Sequence, residues 1–232
     1  MSSGFRVFTK RELPPPEMVE AFRKFSAANV ADCMGRLSAM NAQIRLMSPR
    51  KAENMAGVAL TVKARPGDNL MFHKALDLAG AGDVLVLTNE GAQSHSLMGE
   101  IMFAYAAYKK VAGIVLDGPI RDVDALNDLG IPVYATGCTP GGPYKEGPGE
   151  INVPVSCGHI AVHPGDIILG DSDGVIVIPK NDAPAILAAV KKFSAQDAAK
   201  VTAARSGKID RSWVDNSLRE KGCEIIEDSY RR

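Results

Sequence analysis

Two short, unbroken apolar runs, each followed by a loop and a helix, constrain this chain more than any other feature. Val84–Leu87, introduced by Ala81-Gly82-Asp83, and Ile114–Leu116, closed by Asp117-Gly118-Pro119, lack polar alternation. Each therefore reads as a strand covered on both faces. Between them the pattern predicts a helix from Ser96 or Gly99 to about Lys110, with Ile101, Ala104, Tyr105 and Tyr108 on one side and Gly113 ending the connection. Arg121–Leu129 reads as a further short helix. Consecutive strand–helix units pair in parallel through right-handed crossovers, so the expected fold class is α/β.

The flanking sequence extends this frame. Glu17–Leu37 carries apolar residues at roughly helical spacing and predicts one or two helices. Met55–Ala64 is a strand, Pro66-Gly67-Asp68-Asn69 a turn, and Leu70–Leu78 a helix. Beyond Ile131 the chain changes to short strands, interrupted by the Gly/Pro-rich stretch Gly137–Gly149, to which the sequence assigns no chemistry. Asn181–Ala204 predicts a long C-terminal helix, capped by Asn181 or Asp182 and stopped by Gly207. No boundary divides the chain, so one domain is expected over 1–232, with 1–17 as an N-terminal extension and 208–232 as a tail.

Charge and hydropathy exclude several function classes. Lys plus Arg and Asp plus Glu both number 27, so no net positive field draws the chain to nucleic acid or an anionic membrane. The apolar runs fall far short of the roughly 20 residues that cross a bilayer. The N-terminus MSSGFRVFTKRELPPPE has no charged region followed by an apolar one, and cytoplasmic residence is the expectation. Cys33, Cys138, Cys157 and Cys223 are scattered without a CxxC pair and read as buried, reduced thiols.

The chemistry concentrates between Gly99 and Asp122. Glu100 begins a helix after one strand, and Arg121-Asp122 follows the next; in an open α/β sheet such positions lie at neighbouring carboxyl ends, where ligands bind. Two carboxylates are hard oxygen ligands for Mg²⁺ or Mn²⁺. Arg121 offers a fork matched to a carboxylate, and the amides of Glu100, Ile101 and Met102 at the helix start form a second anion cradle. A small 2-oxo acid fits this set. Taken singly, the same residues also read as a helix cap and a surface ion pair. His95, in the loop before Gly99, is a candidate for a distal substrate group or a solvated histidine. His73, His159 and His163 lack metal-spaced partners and read as structural. Asp32 and Asp117 are candidates for supporting or turn roles, and Asp171-Ser172-Asp173-Gly174 for a turn rather than a calcium loop.

An acid, twenty intervening positions and then Arg-Asp is the pattern made by Glu100, Arg121 and Asp122. With Pro66-Gly67-Asp68-Asn69, Val115-Leu116-Asp117-Gly118-Pro119-Ile120 and Gly170-Asp171-Ser172-Asp173-Gly174-Val175, it resembles the class II 4-hydroxy-4-methyl-2-oxoglutarate/4-carboxy-4-hydroxy-2-oxoadipate aldolases. These belong to a larger group that contains the regulator of ribonuclease E activity. The resemblance runs from about Met18 to Gly207. It implies a three-layer β/β/α swivelling-type domain and a Mg²⁺- or Mn²⁺-dependent lyase that cleaves 4-hydroxy-2-oxo diacids to pyruvate and decarboxylates oxaloacetate through a metal-stabilised enolate.

Carried over, the resemblance makes Asp122 the direct metal ligand, Glu100 a ligand through water, and Arg121 the substrate-binding cation. The backbone from Gly99 to Met102 would hold the pyruvyl carboxylate. It further implies a homotrimer or homohexamer in which Asp197, where the family has Glu, reaches the metal site of a neighbouring subunit. The alternatives are a non-catalytic regulator that binds a ribonuclease, a type that tends to lack the acid after the arginine, and a phosphohistidine carrier with His95 as acceptor.

Overall fold

The computed structural model describes residues 4–230. Residues to Lys191 form one compact unit and residues from Lys192 a second. In chain order the elements are β1 (Phe5–Val7), α1 (Pro16–Phe22), α2 (Ala27–Cys33), β2 (Arg45–Leu46), β3 (Met55–Ala64), α3 (Leu70–Leu78), β4 (Asp83–Thr88), α4 (Glu100–Tyr108) and β5 (Gly113–Ile120). A 3-10 turn (Val123–Ala125) leads to α5 (Leu126–Leu129), β6 (Val133–Cys138), β7 (Gly149–Ile151), β8 (Val155–Cys157), β9 (Ile160–Val162), β10 (Ile167–Asp171), β11 (Gly174–Ile178), α6 (Ala183–Arg205) and α7 (Ser212–Glu220).

The centre of the fold is the parallel run β3-β4-β5-β6, in which Val58 pairs with Asp83, Val84 with Gly113 and Ile114 with Val133. The two βα units read from the sequence are present. Strand β4 is buried along its whole length, and pleating divides its side chains between two cores. Leu85 and Leu87 join Ile114 and Leu116 beneath α3 and α4, whereas Val84 and Val86 join Val115 on the opposite face. That is why neither run shows polar alternation. The free edge of β3 is shared, with β10 antiparallel along Met55–Val58 and β7 antiparallel along Val62–Ala64. There β10, β11 and the β8–β9 hairpin form a second β layer against the β4/β5 face. Helices α1 and α2 and the first turns of α6 cover the outer side of β10 and β11 through Phe22, Val30, Ala183 and Val190.

Helix α4 packs through Met102, Phe103 and Ala106, while Ile101, Tyr105 and Tyr108 face solvent. Phe103 and Phe72 are almost fully enclosed; truncating either to alanine removes a large apolar volume from one core, a cost of about 3–5 kcal/mol. Strand β5 runs on through Asp117-Gly118-Pro119 to Ile120, with a register shift between Leu116 and Pro119. Arg121 therefore follows the strand directly. Gly207, with φ of 70°, follows α6 and supplies the left-handed residue that closes such a helix. Among the described residues, no helix is long and apolar enough to cross a membrane.

Candidate active site

The carboxyl ends of β3, β4 and β5 bring three connections together. The β4–α4 connection is tied to the end of β5, since Leu97 N–H donates to Pro119 O and Arg121 N–H donates to Met98 O, each at 3.0 Å. These bonds extend the strand pairing beyond β4 and set Gly99 against Arg121-Asp122. A Cβ on Gly99 would overlap Asp122 Oδ2 and lie 3.1 Å from Arg121 Cγ and Nε. The glycine is required by space, since its backbone is extended.

Asp122 has φ of 56° and ψ of 41°, a left-handed conformation that aspartate tolerates better than most residues. This turns its carboxylate back toward α4, where Oδ2 accepts the Glu100 N–H at 3.1 Å and lies 3.5 Å from Arg121 Nε. Both side chains are exposed, which screens their mutual attraction. The pair is thus available to a ligand rather than consumed by its own ion pair.

The other wall of the site comes from the β3–α3 turn and the loop before β7. Asn69 is buried; its Nδ2 donates to Leu97 O at 2.9 Å, and its Oδ1 has no partner among the described residues. A cavity of about 120 Å³ lies between these walls, with Asn69, His73, Arg121, Asp122 and Lys145 as its principal polar groups and Met98, Ile101, Met102 and Pro143 as apolar ones. Burial and then the Lys145 charge push His73 below the usual imidazole range, opposed by Asp77. Cationic Arg121 and Lys145 share the lining with a single carboxylate, Asp122, so positive charge outnumbers negative along it.

Arg121, Asp122, Gly99, Ile101 and Met102 all line this cavity. Glu100 stands at its edge, exposed, with its N–H on Asp122. The anion cradle expected at the helix start is smaller than the sequence implied: Asp122 takes the Glu100 amide, and Met102 N–H donates to Gly99 O at 3.0 Å. Of the three amides, that leaves only Ile101's. His95 is absent from the lining; it packs against Tyr144, with ring centroids 5.1 Å apart. Asp197 lies on α6 in the second unit and is half-buried there.

Asn69, His73 and Lys145 line the cavity without having been singled out. Asn69 belongs to a turn motif visible in the sequence, but the burial of its side chain is a tertiary fact. Lys145 sits in an aperiodic Gly/Pro-rich stretch whose only signal was its lone lysine. His73, a structural residue on the sequence reading, stands on the cavity wall.

Among the described residues, no group of three or more His, Cys, Asp or Glu side chains could hold a metal by itself. Asp122 with Glu100 beside it still fits Mg²⁺ or Mn²⁺. Such ions accept one or two carboxylates and complete their shell with water and ligand oxygens, and the exposed Asp122 carboxylate leaves room for both.

The remaining candidates fall elsewhere. Asp32 pairs with Arg36 at 2.8 Å on the surface. Asp117 faces a second cavity beside His159. Asp171 to Gly174 forms the β10–β11 turn, with Asp173 N–H donating to Asp171 Oδ1 at 2.9 Å. All four cysteines are free, but only Cys157 is buried; Cys33 is partly buried, and Cys138 and Cys223 are exposed because they lie at a strand end and in the tail.

Residues 27–177 match the RraA-like family, described as Aldolase/RraA. A Halalkalibacterium halodurans protein named, provisionally, as a 4-hydroxy-4-methyl-2-oxoglutarate aldolase is 35% identical over 184 residues, covering 79% of this chain and 87% of that protein. The 4-hydroxy-4-methyl-2-oxoglutarate aldolase of Thermus thermophilus is 35% identical over 113 residues, 49% of this chain and 69% of its own. Among solved structures, Streptomyces coelicolor RraAS2, described as an unusual member of the RNase ES inhibitor RraA protein family, aligns with a TM-score of 0.74 at 27% identity, over 81% of this chain and 97% of its own. The matched segment runs from α2 to β11 and contains every described residue of the cavity, and the chain belongs to the RraA-like (Aldolase/RraA) family.

Proposed function

We propose that the protein is a lyase acting on 4-hydroxy-2-oxo diacids, with Mg²⁺ or Mn²⁺ as cofactor, and that it also decarboxylates oxaloacetate. The observation that carries this reading is the convergence of Arg121, Asp122 and Lys145 on one small cavity whose lining carries more positive charge than negative. The names of the aldolase relatives give the chemical class.

Asp122, assisted by Glu100 through water, would hold the divalent ion, which supplies Lewis-acid charge at the 2-oxo group. Arg121 places its guanidinium where negative charge grows on the 2-oxo oxygen, and a donor so placed stabilises the transition state more than the ground state. In the retro-aldol direction the C3–C4 bond breaks. Its electron pair passes to the enolate of pyruvate, the 4-hydroxyl gives up its proton as the second oxo acid forms, and a proton added at C3 completes pyruvate. Decarboxylation of oxaloacetate passes through the same enolate, with CO₂ as leaving group. Lys145 and the Ile101 N–H are positioned for substrate carboxylates. Buried Met98 and Met102 form the apolar side of the site.

The test is pyruvate release from oxaloacetate and from 4-hydroxy-2-oxo diacids, with and without EDTA and added Mg²⁺. Activity that is lost on chelation and restored by the ion supports the reading. Full activity after exhaustive chelation, or borohydride trapping of pyruvate on a lysine, overturns its metal chemistry. A chain with no turnover that inhibits a ribonuclease would be a regulator of the kind named in the Streptomyces relative.

The active unit in this proposal is a homotrimer or homohexamer in which Asp197 of a neighbouring copy supports the metal site. A heterologous three-fold contact closes into a ring with equivalent sites. Ile101, on the cavity wall yet 84% exposed, is an apolar surface suited to such a contact. Light scattering combined with Asp197→Ala kinetics decides it: a fully active monomer refutes the shared site, and a trimer indifferent to the substitution removes Asp197 alone.

A further inference from the structure

We infer that Asp68 is a positioning residue that fixes Lys145 and Asn69 relative to each other, and so sets the width of the cavity. Asp68 is fully buried, where an ionised carboxylate requires compensating donors. Its Oδ1 accepts the Leu70 N–H at 3.0 Å, at the start of α3. Its Oδ2 accepts the N–H groups of Glu146 at 2.6 Å and Gly147 at 2.9 Å, and Arg65 Nη2 lies 3.4 Å away. One carboxylate thus joins two segments 78 residues apart in sequence.

The join matters because of what lies on either side of it. Asn69 N–H donates to Tyr144 O at 3.0 Å and Tyr144 N–H donates to Gly67 O at 2.8 Å, so the residue before Lys145 is pinned to the turn. The residues after it, Glu146 and Gly147, are pinned by Asp68. The Lys145 backbone is therefore held from both sides, and downstream the Asp68 side chain holds residues 146 and 147 ahead of the Arg65 N–H bond to Pro148 O at 3.2 Å. Without that side chain residues 145–147 would be tied only at Tyr144 and Pro148, and the backbone that carries the Lys145 side chain to the cavity would lose its nearest downstream anchor. A positioned charge is worth more than a mobile one, because the reorganisation has been met in folding.

This inference rests on the lyase reading for its kinetic test but not for its structural one. Hydrogen exchange in Asp68→Ala is expected to be about tenfold faster at the Glu146 and Gly147 amides, because both lose their acceptor. Exchange in β4 should be unchanged, which separates loosening of the loop from general unfolding; Asp68→Asn, whose single amide oxygen faces only one of the two segments, should speed exchange at residues 146–147 or at Leu70 but not at both. In the kinetic test, Asp68→Ala is expected to lower kcat/KM about tenfold with Lys145 present and by less than about twofold in a Lys145→Ala background. Equal losses in both backgrounds, or unchanged exchange at residues 146–147 of Asp68→Ala, would overturn the inference. If the unaltered protein turns over no oxo acid, the lyase reading fails and the exchange result alone decides the clamp.

Discussion

On one face of the sheet the ends of β4 and β5 meet α4 and enclose about 120 Å³ around Arg121, Asp122 and Lys145. On the other face the same ends meet the β8–β9 hairpin and enclose about 450 Å³ around Thr88, Glu90, Asp117 and His159. The larger space is the more self-contained. Lys63 stands 3.9 Å from Glu90, and Asp117 accepts a backbone N–H from Gly158. In the smaller space two cations face one lining carboxylate, Asn69 keeps an unused acceptor, and a glycine is required for the walls to approach. Unbalanced charge and enforced proximity, rather than volume, mark where a reactive anion fits.

The largest effects should therefore fall on the helix side. Arg121→Ala is expected to lower kcat about 100- to 1000-fold while leaving Mn²⁺ affinity intact, because it removes a donor aimed at developing charge. Asp122→Ala should lower activity at least as far and weaken Mn²⁺ binding itself, measured by titration of the ion. Asp117→Asn, at the end of the same strand but on the other face, should change kcat/KM by no more than about threefold, as expected for a residue outside the site. Equal losses at Asp117 and Asp122 would break the distinction between the two cavities.

Gly99→Ala sharpens it from the backbone side. The added methyl overlaps Asp122 Oδ2 and crowds Arg121, so the pair must move relative to α4. A displacement near 1 Å costs about 100-fold in rate. Thermal stability should change little, since the position is extended and precedes the helix. Wild-type rates in Gly99→Ala would show that the close approach has no catalytic consequence.

What the sequence revealed follows the same division. β4 and β5 were legible because both faces are buried, and a strand in that setting has no freedom to alternate. Arg121 and Asp122 were legible because they follow such a strand directly. Asn69 and Lys145 were not, since their positions depend on contacts between segments far apart in sequence: Asn69 reaches Leu97, and Lys145 is placed by bonds to residues 67–69. The anion cradle was overestimated for a related reason. Sequence shows which amides a helix start exposes but not that the Asp122 carboxylate folds back onto one of them.

A smaller effect is expected from the cavity rim. Lys145→Met keeps most of the aliphatic length and removes the charge. KM for a diacid should rise about tenfold, the scale of one lost charge-assisted contact, with a lesser change in kcat. The comparison substrate is oxaloacetate, which is shorter; an equal rise for both would place Lys145 at the shared pyruvyl end of the substrate instead of its distal end.

The smallest effect concerns stability and comes from the other cavity. Burial raises the Asp117 carboxyl above its usual value, opposed by the Gly158 N–H and then by His159. Below the unfolded value both states carry the proton, and Asp117 contributes no pH-dependent penalty. As pH rises through the folded value, the unfolded chain ionises more readily than the folded one, so the native state binds the extra proton and loses stability relative to its acid limit. At neutral pH the charged form is therefore held at a cost. Asp117→Asn, which retains an oxygen for the Gly158 N–H, should raise the melting temperature slightly near pH 7, and the gain should shrink as pH falls toward the ordinary carboxylate range. Melting curves of both proteins from pH 4 to 8 check this; a gain that grows on acidification would mean that the carboxylate is stabilised, not strained, by its surroundings, and that His159 rather than burial governs it.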